Sequence, residues 1–240
     1  MRDQPEQQAP PVQRLRVRYA KRGRLRFTSH RDFSRAFERA LVRARIPMAY
    51  SSGFNPHPRI SYAGASPTGA ASEAEYLEIG LAEIVDPSRL AADLDEALPD
   101  GLDVLEVVEA VPGSLADRLQ ASRWVIDLAD TPPEAVTSAV AAFLASESVA
   151  VERMTKKGLR SFDSRAAVLD LGVTAYDGPP PGTRLEVLLR HTVPAVRPDD
   201  VLTGLHRVGG LETTGAPLLT RLAQGPYDES SGTVGDPLSA

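Results

Sequence analysis

The sequence contains no cysteine. The chain therefore has no disulfide, thiolate zinc site or cysteine nucleophile, and it cannot ligate an iron–sulfur cluster with its own thiolates. We expect it to bind no cofactor. No apolar run approaches the roughly 20 residues of a membrane-spanning helix, and residues 1–11 are too polar for a signal peptide. These absences predict a cytoplasmic protein without membrane attachment.

Motifs of several enzyme classes are missing as well. The sequence has no HExxH pair, no P-loop, no GxGxxG fingerprint and no GxSxG elbow. Aromatic residues make up only 5% of the chain, and the aromatic motif of RNA-recognition domains is absent. If the chain binds nucleic acid, we expect it to contact phosphates and read shape more than it stacks on bases. Hydrophobic residues at 42% and charged residues at 25% are typical of a globular protein.

The charges that are present are segregated along the chain. Residues 12–45 contain twelve Lys or Arg against two acidic residues, a net charge of about +10, whereas residues 61–120 contain thirteen Asp or Glu against two arginines, about −11. A basic block of this kind indicates an anionic partner. The alternative is a self-complementary protein in which the basic and acidic blocks face each other.

The hydrophobic pattern of the basic block predicts two β-segments followed by a helix. Leu15, Val17 and Tyr19 alternate with arginines, and after Gly23 the residues Leu25 and Phe27 do so again, which predicts two β-segments with one apolar face and one arginine face. Residues 29–46 then follow helical spacing, with Ser29 as the N-cap, phenylalanines and alanines on one side and arginines on the other.

The order of predicted elements gives the fold class. Each half of the chain follows the order β-α-β-β-α-β, which predicts an α+β protein of two tandem ferredoxin-like domains with antiparallel sheets. We place the domains at residues 12–111 and 122–224. Residues 1–11 and 225–240 are polar and rich in turn-forming residues, and we predict that both are disordered tails.

Three segments are candidates for an RNA-binding surface, because guanidinium groups fork onto phosphate oxygens. The first is the arginine block on the predicted strands and helix, the second is a proline-stiffened loop at residues 52–59, and the third is a basic island at residues 156–165. Each also has a purely structural interpretation as a solvated face, a connector or a charged hairpin. The candidate residues are Arg14, Arg16, Arg18, Arg24, Arg26, Arg31, Arg35, Arg39, Asn55, His57, Arg59, Lys156, Lys157, Arg160 and Arg165.

Two histidines are the weak candidates for catalysis. His30 lies at a predicted helix N-terminus and His57 lies in the stiff loop, and either could act as a general base. The alternative for His30 is a histidine of the capping region with no chemical role, and the alternative for His57 is a residue of a purely structural connector. The spacing of histidines and acidic residues indicates no metal site.

Taken together, several segments resemble one family. They are RLRFTSHRD at 24–32, FERAL at 37–41, YSSGFNPHPRIS at 50–61, SEAEYL at 72–77, and KKG with FDSR at 156–165. They are similar to the radical SAM-linked protein family, a domain of unknown function that occurs alone or as a C-terminal extension of radical SAM proteins. The resemblance implies a radical SAM partner enzyme and no known catalytic residues.

Three hypotheses about function follow. The first is a non-catalytic RNA-binding adaptor that works with a radical SAM enzyme in tRNA or rRNA modification. The second is a protein-interaction module that docks on such an enzyme without nucleic acid. The third is a metal-independent RNA endonuclease, suggested only by analogy with the tandem ferredoxin-like CRISPR RNA-processing enzymes.

Overall fold

The structure of the protein is a computed structural model that describes residues 7–155 and 158–239. The chain divides into two compact units, one formed by Met1–Arg118 with Asp236–Ala240 and the other by Leu119–Gly235. Helices and strands occur in both units, and the strand pairs described below are antiparallel. The predicted α+β class is confirmed.

Within its described residues, the first unit contains four strands and three α-helices. In chain order its elements are β1 (Gln13–Lys21), a 3₁₀ helix (Gly23–Phe27), α1 (His30–Arg43), β2 (Ile60–Ala63), β3 (Ala71–Leu81), α2 (Pro87–Ala97), β4 (Val104–Glu109) and α3 (Leu115–Arg118). Strand β1 lies between β4 and β3, and β2 pairs with β3. Because β1 is central, both of its backbone edges are hydrogen-bonded.

The core of the first unit lies between its sheet and α1 and α2. Leu15 and Val17 of β1 pair with Ile79 and Leu77 of β3 and are fully buried. Phe33 of α1 enters the same cluster and stacks on the ring of Tyr19 at 4.5 Å between centroids. The apolar face of β1 therefore packs against the phenylalanine side of α1.

The second unit repeats a central antiparallel sheet with two long helices. Its elements are β5 (Ala121–Ala129), α4 (Pro133–Ala145), β6 (Ala150–Thr155), β7 (Gly158–Asp163), β8 (Val168–Tyr176), β9 (Gly182–Arg190), α5 (Pro198–Gly209), β10 (Leu218–Gly225), β11 (Tyr227–Asp228) and β12 (Thr233–Val234). The strand order is β10-β5-β9-β8, and β6–β7 and β11–β12 are separate hairpins. Helices α4 and α5 pack closely because Gly204 lets the ring of Phe143 approach the α5 backbone.

Three local predictions differ from the structure. The segment with Leu25 and Phe27 is a 3₁₀ helix and not a strand; its short alternation does not mark a buried face, since Phe27 is 59% exposed. The sequence Thr131-Pro132 predicts a helix capped by Thr131, but the N-cap of α4 is Pro132. Residues 225–239 are not a disordered tail, because they contain a hairpin and bury Leu238.

The remaining tail prediction concerns residues 1–11. Residues 1–6 lie outside the described part of the chain, and residues 7–11 have no regular secondary structure. The backbone N–H of Gln8 donates to the hydroxyl of Ser52 at 2.9 Å. The longest described helix is α1 with 14 residues, and none of the described helices has both the length and the apolar character to cross a membrane.

Candidate functional site

The arginines of β1 point away from the core, onto the face of the sheet opposite α1, and they are engaged by acidic residues. Arg14 donates from Nη1 to Glu78 Oε1 at 3.1 Å, and Arg16 donates from Nε to Glu78 Oε2 at 3.2 Å. The register explains both contacts, since Arg16 lies directly opposite Glu78 on β3. Arg14 keeps 60% of its side chain exposed, but the side chain of Arg16 has no exposed surface.

The prediction that Arg16 projects into solvent is therefore wrong. Its Nη2 donates to the carbonyl oxygens of Val111 at 2.9 Å and Gly113 at 2.6 Å. Residues 111–113 thus cover part of the sheet face that carries the β1 arginines. Arg16 holds that segment in place and is not available to an external phosphate.

Arg18 and Arg22 also bind groups within the first unit. Arg18 donates to the carbonyl oxygen of Glu73 at 3.0 Å. Arg22 forms ion pairs with Glu73 and with Asp103, the latter at 2.7 Å, and the hydrogen bond from Arg22 to Glu73 raises the pKa of the Arg22 guanidinium. For Arg14, Arg16 and Arg22 the acidic side chains of the first unit supply partners, as in the self-complementary interpretation, whereas Arg18 and part of Arg16 bind backbone carbonyl groups.

Arg24 and Arg26 lie on the 3₁₀ helix and not on a strand face. Arg24 is exposed. Arg26 is half-buried, with its guanidinium 4.5 Å from the ring centroid of Phe27. These two residues therefore do not continue the arginine face of β1.

Helix α1 presents a different arginine surface. Ser29 caps the helix by accepting a hydrogen bond from the Asp32 backbone N–H at 3.2 Å, as predicted. Four arginines four residues apart are exposed, and no carboxylate of the described chain pairs with them. We call this set, together with Arg45 just beyond the helix, the α1 arginine row; its members are Arg31, Arg35, Arg39, Arg43 and Arg45.

The last two members of the row are missing from our sequence-based candidates. Arg43 was detectable, because it continues the spacing of four residues from Arg39. Arg45 was not, because it follows the helix and has a positive φ of 53°, which periodicity does not predict.

The loop at residues 52–59 is tied at its base and exposed at its tip. The Ser51 backbone N–H donates to the His57 carbonyl at 2.8 Å, and the His57 N–H donates to the Ser51 hydroxyl at 3.0 Å. Gly53 has a φ of 133°, a conformation that favours glycine. Phe54 is 70% exposed, and Asn55 is exposed beside it. The structure therefore presents the tip of this loop to solvent, as expected for a recognition loop, and half-buries Arg59 at its base.

The basic island belongs to the second unit and lies mainly on the β6–β7 hairpin. Lys156 and Lys157 lie outside the described residues. Arg160 is exposed on β7, whereas Arg165, after the hairpin, donates to the carbonyl oxygen of Val168 at 3.1 Å. Of the two described arginines of the island, Arg165 thus stabilises the local backbone, and Arg160 is exposed to solvent.

The two catalytic candidates lie at different places in the first unit. The ring of His30 packs edge-on against Tyr62 of β2, with 4.8 Å between ring centroids. His57 is exposed in the loop. Within residues 7–155 and 158–239 neither ring is hydrogen-bonded to a carboxylate, and no group of three or more His, Asp or Glu side chains is arranged to hold a metal ion. The endonuclease hypothesis stays a prediction.

Comparisons with known proteins give the family. A crystal structure of an unknown protein from Galdieria sulphuraria is 18% identical, covers 82% of this chain and 91% of its own, and has a TM-score of 0.24. No curated protein matches. The family DUF2344, described as an uncharacterized protein conserved in bacteria, matches residues 14–198, which include β1, α1, the loop and the β6–β7 hairpin. Since the match spans more than half of the sequence, the chain belongs to the DUF2344 family.

Proposed function

We propose that the chain is a non-catalytic RNA-binding adaptor whose phosphate-contacting surface is the α1 arginine row. One observation carries the proposal: the arginines of β1 have acidic or carbonyl partners inside the first unit, whereas those of α1 have no ion-pair partner in the described structure. An unpaired cationic row on a solvent-facing helix remains free to bind an external anion.

The geometry of the row suits a nucleic-acid backbone. From Arg31 to Arg43 the helix rises about 18 Å, so the row can meet several successive phosphates. Residues 30–45 carry five arginines against Asp32 and Glu38, a net charge of +3. All five cations are arginine, whose planar fork makes paired hydrogen bonds to phosphate oxygens. These features favour backbone contacts over the reading of base sequence.

The fold that we propose for each unit is ferredoxin-like. In the first unit the order β1-α1-β2-β3-α2-β4 and the antiparallel strand order β4-β1-β3-β2 support it. In the second unit β5-α4-β8-β9-α5-β10 and the order β10-β5-β9-β8 support it, with the β6–β7 hairpin inserted before β8. In this arrangement α1 covers one face of its sheet and keeps its outer side in solvent.

The proposed partner enzyme is a radical SAM protein that modifies tRNA or rRNA. Its support is the sequence resemblance stated above. The absence of cysteine is consistent with a division of labour, because the partner would then supply the three thiolates that such a cluster requires. In this proposal the adaptor holds the RNA, and the enzyme performs the chemistry.

The test is fluorescence-anisotropy binding of labelled bulk tRNA and rRNA fragments at about 50 and 200 mM salt. We expect Arg35→Gln with Arg39→Gln to weaken binding about tenfold or more and to lower the salt slope by roughly 0.7 to 0.9 for each phosphate that the variant no longer neutralises. Arg89→Gln with Arg123→Gln is the control, because it removes the same charge from exposed arginines on α2 and β5. Equally weakened binding in both variants, or no salt dependence, would contradict the proposal.

The second candidate is a protein-interaction module, and the β6–β7 hairpin favours it. Met154 and Leu159 lie opposite each other across the hairpin and are 72% and 59% exposed. An exposed apolar pair on a two-stranded ribbon is typical of a protein contact. Co-purification with the radical SAM enzyme from nuclease-treated extract, abolished in Met154→Ser with Leu159→Ser, would support docking without RNA. Failure to co-purify would contradict it.

A further inference from the structure

A groove on the face of the first sheet opposite α1 has the features of a second, separate anion site. It has a volume of about 270 Å³, and its lining includes Arg14, Ser51, Arg59, Ser61, Glu78 and Gly80. The groove therefore lies at the base of the loop at residues 52–59. Helix α1 packs on the other face of the sheet, so one phosphate cannot contact both places.

The strand register aligns two arginines across a glycine. Arg14 of β1 is the partner of Gly80 on β3, and on the other side the Gly80 N–H donates to the Arg59 carbonyl at 2.9 Å. Directly opposite residues of neighbouring antiparallel strands share a face. Arg14 and Arg59 therefore flank the position where Gly80 has no side chain, with their backbones about 10 Å apart.

Gly80 permits close packing beside the groove. A Cβ at this position would lie 3.0 Å from the Cβ of Pro11 and 3.3 Å from the Cβ of Arg59. The missing methyl group therefore lets Pro11 and Arg59 pack closely over Gly80. A side chain on Gly80 would push Pro11 or Arg59 out of place and so change the position of the Arg59 guanidinium relative to Arg14.

The charges in the groove are unbalanced. Among the described residues that line it, the single carboxylate is Glu78, which is shared by Arg14 and by the buried Arg16. The Nε of Arg59 donates a hydrogen bond to the Tyr50 carbonyl oxygen at 3.0 Å. The two terminal nitrogens of Arg59 have no hydrogen-bond partner in the part of the chain that the structure describes. The groove is thus lined by two guanidinium groups, of Arg14 and Arg59, and its one carboxylate is also paired with the buried Arg16. The hydroxyls of Ser51 and Ser61 line the same groove and add donors suited to phosphate oxygens.

We propose that this groove binds a phosphate group between Arg14 and Arg59. The phosphate belongs either to RNA or to a free phosphorylated small molecule, since both present the same oxygens to paired guanidinium groups. The proposal goes beyond the RNA-binding role of α1 and does not depend on it.

The test uses inorganic phosphate and 5′-AMP as probes, with chloride at matched ionic strength as the blank. We expect calorimetry and ³¹P line broadening to detect binding to the wild-type chain. The affinity should fall about tenfold or more in Arg59→Gln and in Arg14→Gln, because each removes charged donors from the phosphate. Arg89→Gln, on an exposed arginine of the same unit, should leave it unchanged. Gly80→Ala, checked for folding by circular dichroism, should also weaken binding, because the added methyl group would displace Pro11 or Arg59.

Competition distinguishes the two sources of phosphate. If 5′-AMP displaces a labelled single-stranded RNA, the groove holds an RNA phosphate; if it binds without displacing RNA, the natural ligand is a free phosphorylated molecule. Either result supports the site. Absence of binding by both probes, or equal binding to wild type and Arg59→Gln, overturns it. The α1 variants should keep phosphate binding, so failure of the RNA proposal is distinguishable from failure of this one.

Discussion

Strand β1 and helix α1 both carry arginines, but the two sets have different surroundings in the structure. On β1 the arginines meet Glu78, the Glu73 carbonyl and the carbonyls of residues 111–113. On α1 they meet solvent. A central strand has hydrogen-bonded neighbours on both sides, so its outward side chains have cross-strand partners within reach. On a surface helix, the only nearby partners of an outward side chain are residues on the adjacent turns of the same helix. Position in the fold therefore decides which arginines stabilise the protein and which remain free.

The variant Arg16→Met tests most directly whether a buried β1 arginine stabilises the protein. The change leaves Glu78 without its buried partner and two carbonyl groups without their donor, so the free energy of unfolding should fall by about 3 kcal/mol. Denaturant titration followed by circular dichroism measures the decrease. Arg14→Met is the matched control, because it touches the same carboxylate from a side chain that is 60% exposed and should cost less than about 1 kcal/mol. Equal costs would show that burial of Arg16 is not what matters.

Helix capping supplies the next effect. Ser29→Ala removes the acceptor for the Asp32 N–H and should lower the free energy of unfolding by about 1 kcal/mol. Fraying of the first turn should also weaken the contribution of Arg31 to RNA binding. Ser29→Thr retains a hydroxyl that can accept this hydrogen bond without adding charge, and it should preserve both stability and affinity in the same titrations. An unchanged stability in the alanine variant would show that packing alone holds the start of α1.

A smaller effect on stability is expected from the exposed ion pairs of Arg22, the residue that follows β1. Arg22 is 46% exposed and pairs with Glu73 and Asp103. Glu73→Gln should therefore cost less than about 1 kcal/mol, and the cost should shrink at high salt because exposed charges are screened. Thermal unfolding at low and at about 1 M salt measures both quantities. A large and salt-independent destabilisation would show that Arg22 behaves like Arg16.

The smallest effect tests the helix surface from the opposite direction. Glu38 is an exposed acidic residue of α1. Removing its charge with Glu38→Gln should raise RNA affinity about twofold, because the phosphates then lack a like-charged neighbour in a high-dielectric environment. Glu134→Gln on the exposed start of α4 is the control and should change nothing. If anisotropy shows the same increase in both variants, the row on α1 does not bind the RNA.

The exposure of α1 could be predicted because it depends on local information. The spacing of Phe33, Phe37 and Ala40 selects the buried side, and Ser29 marks the start of the helix. These signals lie within a few turns of each other, and the structure agrees with them.

The burial of Arg16 could not be predicted in the same way. Alternation along β1 shows only that Arg16 faces away from Leu15, and the segment that covers it comes 95 residues later. The short alternation around Leu25 misleads for a related reason, since a few residues fit a 3₁₀ turn as well as a strand. The Arg14–Gly80–Arg59 alignment likewise depends on strand register, which a single sequence does not specify.

The hydrogen bonds from Arg16 to Val111 and Gly113 also have a consequence during protein synthesis. Val111 and Gly113 lie 95 and 97 residues after Arg16 in the sequence. In a nascent chain, residue 113 must therefore leave the ribosome before this guanidinium can exchange water for both carbonyl groups. Until then β1 has a charged group on its outward face without those acceptors. A chaperone that recognises unfinished domains should therefore associate with ribosomes stalled before residue 111 and be released once residue 113 has emerged.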